Sequence, residues 1–260
     1  MTIRTTTELE ARRVELEAEL GEPITLDGLS AAFRIFQRKL GHRHSTDDLL
    51  TAWYALEHAP DAARALDLGT GIGTVGLLLV SALPIELVCI EAQDISYRFL
   101  LENIAANGVG DRVRALHGDL RELALPETFP LVSGSPPYFD PRAGIVPADS
   151  QKAHARFELR GDVADYAAAA KRHLAPGGTF VFCFPHALAE RAVTAAHDAS
   201  FAIVHRRDVV PRAGLTPLFG LYACQLGANA EHVDPPFVVR DAAGDHTEMY
   251  RAVRRRFGWV

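Results

Sequence analysis

The feature that most constrains the fold is a glycine-rich loop between a strand-like run and a helical segment. The loop Gly69-Thr-Gly71-Ile-Gly73 lies between a strand predicted over Arg64–Leu68 and an apolar helix predicted over Gly73–Leu83. Glycines let the backbone turn tightly and approach a ligand closely. In open α/β sheets, ligands bind beside such loops, at the carboxyl ends of the strands. The loop therefore predicts a ligand-binding unit at the first strand of a parallel sheet.

Strand-like and helix-like segments alternate through the rest of the chain. Further strands are predicted over Glu86–Ile90, Val113–His117, Pro130–Ser133, Thr179–Phe184, Phe201–Val210 and Leu218–Leu226, and helices over Ile95–Asn107, Val163–Leu174 and Ala187–Ala199. Strands separated by helices favour a parallel sheet covered on both faces. The last two long strands predict an antiparallel closing hairpin. We therefore expect a Rossmann-like α/β fold with seven strands, mostly parallel.

Composition excludes several other classes of protein. The 260 residues are 48% hydrophobic and 23% charged, which suits a globular domain with a substantial core. The longest apolar run, Val75–Leu83, is far shorter than the roughly 20 residues that span a bilayer. The cysteines Cys89, Cys183 and Cys224 are widely separated, and the N-terminus lacks a signal-peptide core. We expect buried free thiols, no metal site and a cytoplasmic location.

The glycine loop alone fits two cofactors. Its last two glycines and Gly76 match a dinucleotide fingerprint, and Glu91 follows about twenty residues later, where it could bind ribose hydroxyls. Asp67 precedes the loop, and its carboxylate would repel a pyrophosphate but attract the ammonium group of a methionine moiety. Asp119, after the third strand, can accept a hydrogen bond from an adenine amine. These carboxylates favour S-adenosylmethionine over a nicotinamide cofactor.

A second motif, Ser135-Pro136-Pro137-Tyr138, follows the fourth predicted strand. The succession of Asp, glycine loop, Glu and Asp resembles the class I S-adenosylmethionine-dependent methyltransferases. The tetrapeptide is similar to the Asn-Pro-Pro-Tyr signature of amino-group methyltransferases that act on adenine, cytosine or glutamine. In that chemistry two acceptors hold the amine N–H groups, the prolines fix the backbone, and the tyrosine stacks on the base.

The motif departs from the signature at its first position. Ser135 stands where the signature has Asn. A hydroxyl can accept a hydrogen bond, but it is one heavy atom shorter than the amide and also donates. The substitution therefore leaves the prediction of methyl transfer unchanged but leaves the identity of the methyl acceptor open.

More of the chain resembles a particular family. The block Gly41–Leu50, the segment Val210–Gly214 and the segment Asp241–Glu248 are similar to the bacterial tRNA adenine-N6 methyltransferases that modify a valine tRNA, and the similarity runs from about Leu26 to Phe257. A helix predicted over Thr5–Leu20 places an N-terminal helical extension at residues 1–25. The resemblance implies a methyltransferase domain over 26–260. Within that domain, residues 26–60 would cover the methionine end of the cofactor, and 61–260 would form the catalytic core and C-terminal tail.

The resemblance also assigns site residues. It implies catalytic roles for Ser135, Pro136, Pro137 and Tyr138, and S-adenosylmethionine binding by Arg43, Thr46, Asp67, Gly69, Gly71, Gly73, Glu91, Ala92, Asp119 and Ser135. Gln151, Arg156 and Glu158 follow at spacings that would face a substrate. His42 and His44 are expected to be ordinary polar lining.

The leading functional hypothesis is transfer of a methyl group to an adenine N6 amine of tRNA. Arginines cluster at 251 and 254–256 and at 206, 207 and 212, where they could bind phosphates; a solvated helix face explains the first cluster equally well. Two alternatives stay open. One is methylation of a small molecule or a protein side chain, and the other is an inactive relative that binds RNA or a partner. A monomer and a homodimer both fit the sequence.

Overall fold

The computed structural model describes residues 5–142, 144–229 and 231–259. The helices are α1 (Thr6–Leu20), α2 (Thr46–His58), α3 (Thr74–Ala82), α4 (Asp94–Ala106), α5 (Ser150–Arg156), α6 (Val163–His173), α7 (Ala189–Asp198) and α8 (Glu248–Arg256). The strands are β1 (Ile24–Gly28), β2 (Arg34–Arg38), β3 (Arg64–Leu68), β4 (Glu86–Glu91), β5 (Val113–His117), β6 (Phe129–Gly134), β7 (Leu174–Pro185), β8 (Phe201–Val210), β9 (Phe219–Leu226), β10 (His232–Val233) and β11 (Phe237–Val238).

One large mixed sheet organises the described residues. Its strand order is β10-β8-β9-β7-β6-β3-β4-β5, and β11 also pairs with β8. β9 is antiparallel to both β7 and β8, whereas the pairs among β3 to β7 are parallel. β3 and β6 lie side by side where the strand order reverses, so the loops after them meet at a switch point. A Rossmann-like α/β fold results.

The sheet differs from the expected seven strands. The described residues form nine, because the two-residue strands β10 and β11 add parallel to the outer edge of β8. Segments this short bury almost no alternating apolar face, so hydrophobic periodicity does not mark the first of them. Pairing with β8 covers an edge that would otherwise expose unpaired backbone groups.

The N-terminal part of the chain packs against the sheet domain. β1 and β2 form a separate antiparallel hairpin. Asn103 of α4 is fully buried, accepts a hydrogen bond from the Phe36 backbone N–H at 2.7 Å, and donates one to the carbonyl of Ile72 at 2.9 Å. One amide thereby ties the hairpin to the glycine loop. The predicted boundary at residues 25 and 26 falls inside β1, and the division into two parts stays a prediction.

Two apolar clusters cover the two faces of the sheet. One contains α2, α3 and α4 side chains together with Leu9 and Leu16 of α1, and the other is built around α6, α7 and the aromatic residues of β7. All three cysteines are buried and unpaired, as predicted. None of the helices in the described ranges is long and apolar enough to cross a membrane.

Candidate cofactor and acceptor site

The main cleft lies at the carboxyl ends of β3, β4, β5 and β6 and has a cavity volume of about 130 Å³. The residues predicted to bind a cofactor or acceptor that line it are Arg43, Asp67, Gly69, Gly71, Glu91, Ala92, Asp119, Ser135 and Pro137. These residues come from five separate segments of the chain. Convergence of strand ends around a cleft is the usual position of a ligand site in such a sheet.

Asp67 holds the first turn of the glycine loop. Its carboxylate is buried and accepts hydrogen bonds from the Thr70 hydroxyl at 2.5 Å and the Gly76 N–H at 3.1 Å. The Ser133 hydroxyl donates to the other oxygen at 2.7 Å. Burial raises the pKa of the Asp67 carboxyl, and these donors oppose the rise. Asp67 therefore fixes the loop in addition to giving the cleft a negative wall.

Glu91 links the glycine loop to the end of β4. One carboxylate oxygen accepts a hydrogen bond from the Gly71 N–H at 2.8 Å, and the other accepts one from the Gln93 N–H at 2.7 Å. Burial raises the pKa of the Glu91 carboxyl. Each carboxylate oxygen can accept a second hydrogen bond. Because Glu91 lines the cleft, these remaining positions are available to a pair of ligand hydroxyls.

Two glycines of the loop have different steric reasons for being glycine. Gly69 and Gly71 both have positive φ, at 56° and 61°. A Cβ on Gly69 would lie 1.9 Å from the hydroxyl oxygen of buried Tyr166, whereas a Cβ on Gly71 would meet no atom within 4 Å. Gly69 thus allows α6 to pack against the loop, and Gly71 leaves open space toward the cleft.

The segment before α2 closes one side of the cleft through polar contacts. The side-chain amide oxygen of Gln151 accepts hydrogen bonds from the His42 backbone N–H at 3.1 Å and from the Arg38 guanidinium at 3.3 Å. Arg38 also pairs with the Asp149 carboxylate at 2.7 Å. Gln151, in α5, is buried. These bonds connect the wall of the cleft to the segment that follows the Ser-Pro-Pro-Tyr motif.

Arg43 lines the cleft, but its guanidinium faces the β1 hairpin. It donates to the Thr25 hydroxyl at 2.8 Å and to the Asp27 carboxylate at 2.9 Å. Its side chain is 36% exposed. In this arrangement Arg43 anchors the cleft wall, and binding a cofactor carboxylate would require it to share or leave Asp27.

Asp119 lies at the rim and is held by its own loop. Its carboxylate accepts hydrogen bonds from the backbone N–H of Arg121 at 2.9 Å and from the Arg121 guanidinium at 2.7 Å. These bonds lower the pKa of the Asp119 carboxyl. The residue is therefore an ionised acceptor at neutral pH and fits recognition of an exocyclic amine.

The Ser-Pro-Pro-Tyr motif runs from the cleft toward an aromatic surface. The Ser135 hydroxyl oxygen lies 3.4 Å from the sulfur of Cys183, in β7, and Pro137 lines the cleft. The Tyr138 ring packs against Phe139 at 4.5 Å and lies edge-on to Phe184 at 6.4 Å. The backbone N–H of Tyr138 donates to the Arg156 carbonyl at 3.1 Å, which fixes the motif against the end of α5.

Four predicted site residues do not line the main cleft. Thr46 lines a neighbouring cavity, which shares His44 and Asp48 with the main cleft. Gly73 is the N-cap residue of α3, and a Cβ on it would lie 2.7 Å from the Leu100 side chain. Pro136 is buried, and Tyr138 is half-buried beside the cleft. Their roles in binding and catalysis stay predictions.

Other lining residues were not predicted as cofactor ligands. They include Gln93, Ser96, Arg160 and Tyr166, and the Arg160 guanidinium bonds to the Ala92 carbonyl. Gln93 is the N-cap residue of α4, and its side-chain oxygen accepts a hydrogen bond from the Ser96 N–H at 3.0 Å. Its place two residues after Glu91 is a signal that sequence reasoning could have used. Tyr166 has no comparable sequence signal, because it lies in the first turn of α6 and not beside a strand end.

The cleft fits S-adenosylmethionine better than a pyrophosphate-containing cofactor. Asp67, Glu91 and Asp119 line it, and their carboxylates in the ionised form would repel a pyrophosphate. Glu91 suits the ribose hydroxyls, Asp119 suits the adenine amine, and the carboxylates nearest the glycine loop suit the ammonium group.

Several curated methyltransferases are similar to this chain in sequence. No family model matches the chain. A tRNA1(Val) (adenine(37)-N6)-methyltransferase of Bacteroides thetaiotaomicron is 27% identical over 235 residues, covering 86% of this chain and 94% of the relative. An Aeromonas hydrophila protein of the same name is 29% identical over 212 residues, covering 78% and 84%. The chain is thus similar to these methyltransferases over most of its length. The similarity extends through nearly the whole length of the first relative.

Solved structures show the same fold. The crystal structure of an Agrobacterium tumefaciens protein, described as a predicted O-methyltransferase, has a TM-score of 0.65 at 18% identity and covers 83% of this chain and 98% of its own. The Thermus thermophilus 16S rRNA N2 G1207 methyltransferase, in complex with AdoMet and guanosine, has a TM-score of 0.56 at 18% identity and covers 78% of this chain and 50% of its own. The chain therefore has the fold of these methyltransferases.

Proposed function

We propose that the protein is an S-adenosylmethionine-dependent N-methyltransferase that methylates the N6 amine of an adenine in tRNA, in the cytoplasm. The observation that carries the proposal is the similarity to the adenine-N6 tRNA methyltransferases over most of the chain. The placement of the Ser-Pro-Pro-Tyr motif beside a cleft of methyltransferase character supports it.

The chain's own residues would act mainly by positioning. Bound S-adenosylmethionine supplies an electrophilic methyl group on a sulfonium sulfur. Glu91 would hold the ribose hydroxyls and Asp119 the adenine amine of the donor, which fixes the direction of the methyl group. Holding two reactants in line can supply about 7–11 kcal/mol of the barrier. The cleft therefore needs no side chain that bonds covalently to the substrate.

The acceptor would be held by the motif that leaves β6. The Tyr138 ring offers a face for stacking, which contributes roughly 1–3 kcal/mol per base. Backbone carbonyls at the prolines can accept the amine N–H groups, since proline keeps its carbonyl but has no N–H donor. Held in this way, the amine nitrogen would take the methyl group, the sulfonium sulfur would leave as a neutral thioether, and the nitrogen's proton would pass to solvent.

Basic side chains near the cleft support an RNA acceptor. Arg254 of α8 lines the second cavity with Thr46 and Trp259, and that cavity shares two lining residues with the main cleft. Arg255 and Arg251 pair with Glu248, so part of the positive charge on α8 is already neutralised. Phosphate contacts from such arginines would hold tRNA through a salt-dependent attraction.

A different acceptor is the second candidate, and the Ser135 contact favours it. The hydroxyl points to the Cys183 sulfur at 3.4 Å, where the family signature would place a longer amide. A pocket with this shorter side chain has room for an acceptor other than adenine. A small molecule or a protein side chain would then receive the methyl group.

Transfer of a labelled methyl group distinguishes these proposals. The protein would be incubated with labelled S-adenosylmethionine and, separately, with unmodified tRNA, a protein extract and a small-molecule extract. We expect label in the tRNA. Label confined to another fraction would replace tRNA by that class of acceptor. Tight cofactor binding without label in any fraction would support a binding protein that has lost catalysis.

A further inference from the structure

A cluster of three histidines and one aspartate lies away from the main cleft. His58 ends α2, His205 lies within β8, and His232 and Asp234 lie in and just after β10. The potential ligand atoms of His58, His205 and Asp234 all lie within 4.8 Å of one another. Four residues of metal-ligating type thus meet where α2 approaches the sheet edge.

The spacing within the cluster suits a tetrahedral ion. Bonds of 2.0–2.1 Å to zinc place neighbouring ligand atoms about 3.3 Å apart. The same Asp234 oxygen lies 3.3 Å from the Nε2 atom of His232 and 3.6 Å from the Nδ1 atom of His205. The rings of His58 and His205 have centroids 4.4 Å apart. Two histidine nitrogens thus already lie near the tetrahedral spacing from the Asp234 oxygen, and binding would require the His232 side chain to rotate toward His58 and His205.

One of the candidate ligand atoms has no hydrogen-bond partner among the described residues. The Nδ1 atom of His205 is buried and has no hydrogen-bond partner, and the nearby carboxylate oxygen is too far away for a normal hydrogen bond. A metal ion would use the lone pair of this unpaired nitrogen.

Two neighbours compete for the carboxylate. Tyr54 donates its hydroxyl to Asp234 at 2.9 Å, and the Arg207 guanidinium lies 3.6 Å from the other oxygen. The tyrosine would orient the carboxylate as an outer-shell donor. The Arg207 guanidinium, which also lies over the Trp53 ring at 5.6 Å, would move away from the carboxylate when a cation binds.

We propose that His58, His205, His232 and Asp234 form a structural zinc site that fastens β10 to β8 and α2. Zinc binds imidazole nitrogens and carboxylate oxygens, so three histidines and one aspartate are a suitable ligand set. Four protein ligands leave no open coordination position for catalysis. His205 lies 147 positions after His58, and His232 lies 27 positions after His205. No local sequence spacing therefore indicates the site.

The test uses the full chain after removal of metal by a chelator. Calorimetric titration with ZnCl₂ should show one ion bound per chain, and binding should raise the melting temperature. Changing an outer-shell partner typically weakens binding 10–100-fold, so His205→Gln, which removes a ligand, should weaken it at least about 100-fold. Cobalt in place of zinc should give the visible absorption of a tetrahedral site in wild type and lose it in the variant.

Two further variants keep the test decisive. His232 is 62% exposed, so His232→Ala should fold even if His205→Gln does not, and it should weaken zinc binding at least about tenfold. His197→Ala, at an exposed histidine of α7, is the matched control and should leave zinc binding unchanged. Absence of zinc binding in wild type, or binding that His232→Ala and His205→Gln leave unaltered, would overturn the proposal.

Discussion

Replacing Glu91 by alanine removes the acceptor that joins the glycine loop, the end of β4 and the proposed ribose site. A hydrogen bond to a charged group contributes about 1.5–3 kcal/mol, and each 1.36 kcal/mol corresponds to a factor of ten. We therefore expect S-adenosylmethionine to bind roughly ten- to a hundredfold more weakly. The change also leaves the Gly71 and Gln93 N–H groups without their acceptor, so the free energy of unfolding should fall by about 1–3 kcal/mol.

Calorimetry with purified S-adenosylmethionine measures the first effect, and denaturant unfolding measures the second. The matched control is Glu86→Ala, at the opposite end of the same strand, where the side chain is 74% exposed. The control should alter neither quantity appreciably. An unchanged dissociation constant in a folded Glu91→Ala protein would refute the assignment of Glu91 to the donor site.

The ionisation of Glu91 supplies an independent signature. Burial raises its pKa above the ordinary value, which is about 4.3 for an unperturbed glutamate. The ionised form accepts from the ribose, so affinity should be full above the raised pKa and decline as pH falls through it. Glu91→Gln should lack this part of the pH dependence. Identical pH profiles for the two proteins would contradict a charged acceptor at this position.

Three further substitutions test the other parts of the site. Tyr138→Ala should lower turnover far more than cofactor affinity, because the ring lies beyond the glycine loop; a collapse of cofactor binding in calorimetry would mean that the two sub-sites are wrongly assigned. If the acceptor is adenine, Ser135→Asn should keep or raise methyl transfer to tRNA, whereas a five- to hundredfold loss on the true substrate, about 1–3 kcal/mol, would indicate a pocket shaped for another acceptor. Gly69→Ala should lose about 1–2 kcal/mol to left-handed strain and about 1–3 kcal/mol more to overlap with Tyr166, and Gly71→Ala only the strain; equal losses in denaturant unfolding would contradict the packing account.

The sequence was a good guide to the parallel part of the fold. Helix and strand periodicities placed β3, β4 and β5 where the structure has them, apart from one residue at the end of β4. The glycine loop lies between β3 and α3 as predicted. These elements are recognisable because each buries an apolar face whose spacing repeats along the chain.

The elements before β3 were harder to predict. The hairpin of β1 and β2 and the helix α2 were described only as a region over the cofactor. Arg34–Arg38 is only five residues long and does not alternate polar and apolar side chains. Its hydrogen bonds to Asn103 and Asn107 involve residues about 70 positions away. Such long-range contacts leave no local pattern in a single sequence.

The site was predicted better for strand ends than for side-chain direction. Glu91 ends β4 and Asp119 lies two residues after β5, so the topology alone brings them to the cleft. Arg43 also reaches the cleft, but its guanidinium is paired with Asp27. Tyr166 approaches from a helix face whose orientation depends on packing against the sheet. Its contact with Gly69 could be learned only from the folded structure.

The product of the reaction tests the central claim most directly. Unmodified tRNA would be incubated with the wild-type protein and S-adenosylmethionine, digested to nucleosides and examined by mass spectrometry against synthetic N6-methyladenosine. The account predicts that N6-methyladenosine forms in proportion to enzyme and is absent when S-adenosylmethionine is omitted. Tight cofactor binding without any N6-methyladenosine in the tRNA would contradict it and direct the search to a small-molecule or protein acceptor.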